Sequence, residues 1–382
     1  MAFVGREREL ARLAAGLEGA AARHPSRIAL TGPAGIGASR LVTELAARLA
    51  DLPDVVVLRA AAYEPREGVP YGPLAAAIGP ALEQLADEQL AEVVGPAALE
   101  IAALTPSLRG RLISLELIPE HPLRSSPDQQ SGRLVEAVLG VIVRLAGEGV
   151  VLLALEDLHY ADPGTRRFVE TVLRIGRELP LCLVVSYRPD ELHRRHPMVA
   201  LATTIEADPG VEKLALAPLE RHHIMGLIEG LTGERPSGAA TAAVLEGSGG
   251  IPLFAEQLAL ADAASGGNLG GRFDDLLRTR LSALSVGAMR ALRVVAAARR
   301  PLPVELLTAT EFPGGHLTRP SLTEICGAGL AAEVDGTDGT LRIEIAHEAY
   351  AESIDALGLP AERQPIHAAI AKALSGEPAE AA

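Results

Sequence analysis

The stretch "RIALTGPAGIGASRLVTELAARLA" (27–50) decides the fold. It begins as a short β-rich run that ends at a Gly-Pro turn. It finishes with apolar residues at helical spacing, from Gly37 to Ala50. The joint between the two halves, "TGPAGIGASR" (31–40), follows the phosphate-loop pattern G-x-x-x-x-G-K-[ST] at every fixed position but one. Gly32, Gly37 and Ser39 stand in register, and Ala38 holds the place of the lysine. Such a loop works because consecutive backbone N–H groups and a helix N-terminus point at one anion. Gly32, Ala34, Gly35, Ile36 and Gly37 can form that nest. With Pro33, Ala38, Ser39 and Arg40 they make up the candidate nucleotide-binding segment, Ser39 also being a candidate Mg²⁺ ligand. The same residues also read as a plain strand–turn–helix joint.

Further buried strands follow. "DVVVLRA" (54–60), "GVVLLALED" (149–157) and "LPLCLVVSYRPDE" (179–191) are apolar runs, and "VEKLALAPL" (211–219) is a shorter candidate. Residues 72–148 read as mostly helical, interrupted by "IPEHPLRSSPDQQS" (118–131). Buried strands alternating with helices predict an α/β fold with a parallel sheet, a P-loop NTPase core over 1–219. Beyond it the strand runs stop. Residues 220–285 read as a small helical lid broken by "GSGGIP" (247–252). Over 286–376 two helices, "SLTEICGAGLAAEVDG" (321–336), a Gly-Asp turn and "TLRIEIAHE" (340–348) are the order of a winged helix. Residues 377–382 read as a frayed tail.

Two carboxylates close the third run. Glu156 and Asp157 are costly at a buried strand end unless something positive lies near. Mg²⁺ and a water would justify both, with Glu156 as metal ligand and Asp157 orienting the attacking water. Arg188 closes the next strand, where an arginine can touch a terminal phosphate; the alternative is an ion pair with Asp190 or Glu191.

Composition narrows the class. The chain has 382 residues, 48% hydrophobic and 22% charged, with ample core material but only 3% aromatics and no Trp. The net charge of −14 argues against a broad nucleic-acid footprint, and acidic residues outnumber basic ones over 284–376, so no direct DNA contact is expected. Cys182 and Cys326 are too few for a disulfide framework or a thiolate metal site. With no apolar signal core and no bilayer-length apolar run, no membrane association and a cytoplasmic location are expected. Of 35 basic residues only Lys213 and Lys372 are lysines, both far from Ala38 in sequence.

Seven segments occur in an order that resembles a known family: "FVGRERELARL" (3–13), "GPAGIGASRL" (32–41), "VPYGPL" (69–74), "LEDLHYAD" (155–162), "YRPDE" (187–191), "GGIPLFAEQL" (249–258) and "AHEAYAESI" (346–354). Together they are similar to the AAA-like ATPase module of STAND-type signalling proteins, as found in MalT-like and LuxR-type bacterial transcriptional regulators. The resemblance implies a nucleotide-binding core, a helical lid and a winged helix, with ADP holding a closed monomer and ATP plus an inducer promoting assembly with itself or with protein partners. It implies that Val4, Gly5 and Arg6 lie against adenine, that Pro252 packs on the base, and that His347 reaches toward the β-phosphate of ADP. A helix start, a helix N1 proline and a half-buried structural histidine are the plainer readings of these three places.

Three positions depart from the family pattern: Ala38 for the loop lysine, Tyr160 for the usual Trp, and Ile251 for the usual Asn. The helical repeats and DNA-binding helix-turn-helix of such regulators have no counterpart here. The expected function is a switch that binds ATP or ADP with Mg²⁺ and hydrolyses it slowly or not at all. A nucleotide-free protein-interaction scaffold, and an ATPase that takes its cation from elsewhere, are the alternatives.

Overall fold

In a computed structural model, residues 3–24, 26–63, 70–119, 127–175, 179–264, 277, 281–336, 340–346, 350–351, 354 and 360–375 are described. The backbone groups into two compact units. One comprises Arg6–Pro33 and Ala38–Leu216; the other comprises Met1–Gly5, Ala34–Gly37 and Ala217–Ala381.

The first unit is built on a five-stranded, wholly parallel sheet in the order β2-β3-β4-β1-β5. Its strands are β1 (Ser26–Thr31), β2 (Val55–Ala61), β3 (Val150–Glu156), β4 (Leu181–Tyr187) and β5 (Glu212–Ala215). β1, β3 and β4 are buried at every residue, which is why they read as continuous apolar runs rather than as alternating patterns. Helices connect the strands: α1 (Glu7–Ala21) precedes β1, and α2 (Ala38–Leu49) leads from it to β2. Between β2 and β3 stand α3 (Gly72–Glu83), α4 (Asp87–Val94), α5 (Ala98–Leu104), α6 (Arg109–Ser114) and α7 (Pro127–Ala146). α8 (Pro163–Ile175) and α9 (Val199–Ala207) complete the unit. Leu74, Ile78, Leu90, Val138, Leu153, Phe168 and Leu183 belong to one continuous core. The break expected over 118–131 is shorter than the sequence suggests, because Pro127 opens a helix, a position that a fixed φ suits.

In the second unit α10 (Arg221–Thr232), α11 (Gly238–Ser248) and α12 (Pro252–Ala264) pack around Leu219, Ile224, Leu227, Val244 and Leu258. α13 (Val286–Ala298) follows, then β6 (Leu302–Pro303), α14 (Val304–Ala309), β7 (Glu311–Phe312), β8 (Gly315–His316) and α15 (Arg319–Gly327). β9 (Ala331–Asp335), β10 (Leu341–Ile345) and α16 (Pro360–Ser375) close the described chain. β9 and β10 pair antiparallel, with β6 on the other edge of β10. The two-residue strands β6, β7 and β8 have no counterpart in the sequence reading, since pairs that short carry no period. A second core, including Leu292, Val295, Leu307, Ile325 and Ile343, holds these elements together.

Candidate functional site

Parallel α/β sheets place ligands beyond the carboxyl ends of their strands. In the first unit four segments end there: Gly32 and Pro33 after β1, Arg59–Ala61 at the end of β2, Glu156 and Asp157 at the end of β3, and Arg188 after β4.

The loop after β1 has the backbone hand a phosphate nest needs. Gly35 (φ +77) and Gly37 (φ +97) are left-handed and Ile36 between them is not, an alternation that turns successive amides to one side. Within the second unit this loop tip meets the start of α12. Leu253 N–H donates to the Gly35 carbonyl at 3.3 Å. A Cβ at Gly35 would come within 3.1 Å of Ile251 and Leu253, a tight approach added to the left-handed φ that favours glycine. Pro252 opens α12, its Cγ 3.9 Å from where a Cβ on Gly37 would lie. Val4 and Gly5 line α10 instead: a Cβ on Gly226 would lie 3.3 Å from Val4, and one on Gly5 would strike the His223 ring at 2.6 Å.

In the first unit Arg6, at the start of α1, is buried and donates to Glu9 at 3.0 Å. Ala38, Ser39 and Arg40 form the first turn of α2, with Ser39 and Arg40 exposed. Lys213 donates to the Asp208 carbonyl and is committed at β5. His347 lies outside the described residues.

Glu156 is only 2% exposed. Its Oε1 accepts a hydrogen bond from Arg59 Nε at 2.5 Å, while its buried Oε2 has no hydrogen-bond partner among the described residues. A buried carboxylate oxygen left bare is costly unless a ligand supplies the partner. Among the described residues no group of three His, Cys, Asp or Glu could hold a metal. Mg²⁺ in nucleotide sites is held by one or two carboxylates, a hydroxyl and substrate phosphates. Glu156 and Ser39 fit that donor set.

Asp157 belongs to a different cluster. It sits in the left-handed region (φ 54), its N–H donating to Ser186 Oγ at 2.9 Å. Its carboxylate lies 3.7 Å from Arg188 Nε and 4.0 Å from His159 Nε2. Arg188, buried at 8% exposure, donates to Glu191 at 2.6 Å. The ion pair weighed for Arg188 therefore exists with Glu191, half-buried, and the cluster extends to Asp157. Tyr160 donates to Glu191 at 3.0 Å. Burial pushes the Glu191 carboxyl up, and Arg188, His159 and the hydrogen bonds from Arg188 and Tyr160 outweigh it, leaving Glu191 below the ordinary carboxylate range. A depressed folded-state pKa gives stability that is present above the ordinary carboxylate value and is lost as pH falls through the lowered one. Glu191→Gln should thus lower the melting temperature at neutral pH, with the gap to wild type closing in acid. A gap constant with pH would sink this account.

Sequence reasoning missed Arg59 and Asp162. The signal for Arg59 was a lone charge in an otherwise apolar strand; for Asp162 it was an acid placed directly before a helix that opens with proline.

The strand order, the glycine loop between β1 and α2, and the acid closing β3 define a P-loop NTPase fold. Residues 2–185 match the AAA ATPase domain family, so this part of the chain is an AAA-type P-loop NTPase domain. An uncharacterised protein of Rhizobium meliloti is 24% identical over 395 residues, covering 96% of this chain. The chain spans 36% of that relative's length. Among solved structures, Cdc6p of Pyrobaculum aerophilum is 15% identical, with 98% of this chain and 97% of that chain covered and a TM-score of 0.43. The Walker-type ATPase of Pyrococcus abyssi is 13% identical, with coverage of 92% and 96% and a TM-score of 0.41. The ORC1 protein of Aeropyrum pernix, solved in complex with DNA, is 18% identical, with 93% of both chains covered and a TM-score of 0.38. No helix among the described residues is long and apolar enough to cross a membrane.

Proposed function

We propose that this chain is a nucleotide-dependent signalling switch of the STAND type. It binds ATP or ADP with Mg²⁺ and hydrolyses ATP slowly or not at all. The observation that carries the proposal is the bare, buried Oε2 of Glu156 at the end of β3. A wholly inert fold gains nothing from that cost, whereas a metal bound with nucleotide removes it.

In this reading the main-chain amides of 32–39 hold the phosphates, Ser39 and Glu156 hold the metal, and Val4, Gly5, Arg6 and Pro252 contact the base. Asp157 and Arg188 face the terminal phosphate, and His347 takes the β-phosphate contact that the family resemblance implies. When bound, the metal supplies charge neutralisation of the phosphates. The chain's own residues position and exclude water, and Ala38 withholds the positioned ammonium that would stabilise charge on the transferring group.

A core over 1–219, a lid over 220–285 and a winged helix over 286–376 remain the proposed division, with a tail at 377–382. The order helix, strand, helix, short β7–β8 pair, helix and β9–β10 hairpin from α13 to β10 supports the third. A role within or beside a transcriptional regulator, self-assembly or protein partners, and a cytoplasmic location belong to the same proposal.

Calorimetry with ATP and ADP, with and without Mg²⁺, tests it. Metal-dependent heat of binding at or below millimolar nucleotide is expected, and no heat at millimolar ligand ends the proposal. Ala38 favours a second reading, a pseudo-ATPase scaffold that holds no nucleotide. It predicts that no nucleotide shifts the melting temperature.

A further inference from the structure

The acid at the end of β3 already has a cation on it. In the parallel register Arg59 pairs with Ala154, and Ala61 with Glu156. Side chains two residues apart share a face, so Arg59 and Glu156 lie on the same side of the sheet. There the guanidinium spans two elements: Nε donates to Glu156 Oε1 at 2.5 Å and Nη2 to the Ser39 carbonyl at 3.3 Å. Ser39 belongs to the first turn of α2, the turn whose opening residue, Ala38, lacks the ammonium.

The geometry points to Arg59 as the cation that takes over the phosphate-loop lysine's part, supplied from the neighbouring strand rather than from the loop. This inference rests on the reading of the site as a nucleotide site. Three features separate such a role from that of a plain counterion. Arg59 is one-third exposed, whereas Glu156 is 2% exposed, so the pair is open on the arginine's side. Two of the five guanidinium N–H donors are used among the described residues, which leaves donors for phosphate oxygens. And the Glu156 oxygen that Arg59 does not hold is the bare one, so arginine and metal can occupy the same carboxylate together. The guanidinium fork matches phosphate geometry, so a strand-borne arginine can do by reach what the lysine does from the loop.

The test is a two-by-two set of proteins: wild type, Ala38→Lys, Arg59→Gln, and the double variant. Each is titrated with Mg-ADP and Mg-ATP by calorimetry and melted without nucleotide. Arg59→Gln is expected to weaken binding roughly ten- to a hundredfold, the loss of a charge-assisted bond. Adding Ala38→Lys to that variant should restore affinity, with a gain at least about tenfold larger than the same substitution gives in wild type, because the two cations serve one role. Equal gains in both backgrounds, or undiminished binding by Arg59→Gln, overturn the inference while leaving the nucleotide site standing. If wild type and Ala38→Lys both bind nothing, the nucleotide reading falls and takes this inference with it. Should Arg59→Gln fail to fold because it strands a buried carboxylate, Arg59→Lys, which keeps a charge beside Glu156 but loses the fork that reaches both Glu156 and Ser39, is titrated in its place with and without Ala38→Lys. Equal gains from Ala38→Lys in the wild-type and Arg59→Lys backgrounds also overturn the inference.

Discussion

Asp162→Ala should be the most destabilising single change at the carboxyl end of the sheet, lowering stability by about 2–4 kcal/mol. Asp162 is 7% exposed and spends both carboxylate oxygens on holding structure. Oδ1 accepts from the N–H groups of Tyr71 at 2.8 Å, Gly164 at 2.8 Å and Thr165 at 3.0 Å, and Oδ2 accepts from the Thr165 hydroxyl at 2.5 Å. Removing a helix cap costs about 0.5–2 kcal/mol. The buried Tyr71 N–H, left without its acceptor, adds about 1–3 kcal/mol. Tyr71 is moreover in the left-handed region (φ 65), a conformation that needs outside support in a residue with a Cβ. The melting temperature should fall by about 5–15 °C, at roughly 2–4 °C per kcal/mol for a unit of this size. Asp162→Asn keeps an acceptor at Oδ1 and should lose less than half as much. Thermal denaturation of both variants decides it, and a loss under about 1 kcal/mol for Asp162→Ala would refute the account. Gly164→Ala gives an independent check, since its Cβ would come within 2.9 Å of the Tyr71 ring.

That carboxylate joins two of the segments on which the family resemblance rests, "VPYGPL" and "LEDLHYAD". In sequence they are separate motifs; in the fold one acid caps α8 and pins the turn before α3. What was legible beforehand follows from the same physics. β1, β3 and β4 are buried on both faces, so their apolar runs mark a parallel sheet without any long-range information. The glycine loop was legible because φ and steric limits act locally. Arg59 was not, because its meaning depends on β2 pairing with a strand whose acid lies 97 positions away. The Arg188–Glu191–Tyr160 cluster was half legible, the near pair from spacing and the tyrosine only from the fold. His347, drawn from the resemblance alone, has no structural counterpart among the described residues.

Ala38→Lys should have the largest effect on ligand affinity of any single substitution in the loop. A lysine there would donate charge-assisted hydrogen bonds to the β- and γ-phosphates, together contributing about 1.5–3 kcal/mol net. Where no other cation serves the phosphates, nucleotide would bind roughly ten- to a hundredfold more tightly, and beside Arg59, if it holds that part, the gain in wild type falls to about tenfold or less. Hydrolysis should gain more than binding does, because charge grows on the transferring phosphoryl group as it leaves, and a positioned cation stabilises the transition state beyond the ground state. The rest of the proposed site needs no rebuilding: Glu156 keeps the place proposed for the metal ligand, and Asp157 and Arg188 are already tied together beyond the ends of β3 and β4. Nucleotide titration followed by single-turnover phosphate release from Mg-ATP separates the two effects. A lysine that tightens binding and leaves hydrolysis unmoved would mean that Asp157, held by Arg188 and Ser186, is fixed where it cannot serve an attacking water, and Ala38 would then be a consequence of lost catalysis rather than its cause.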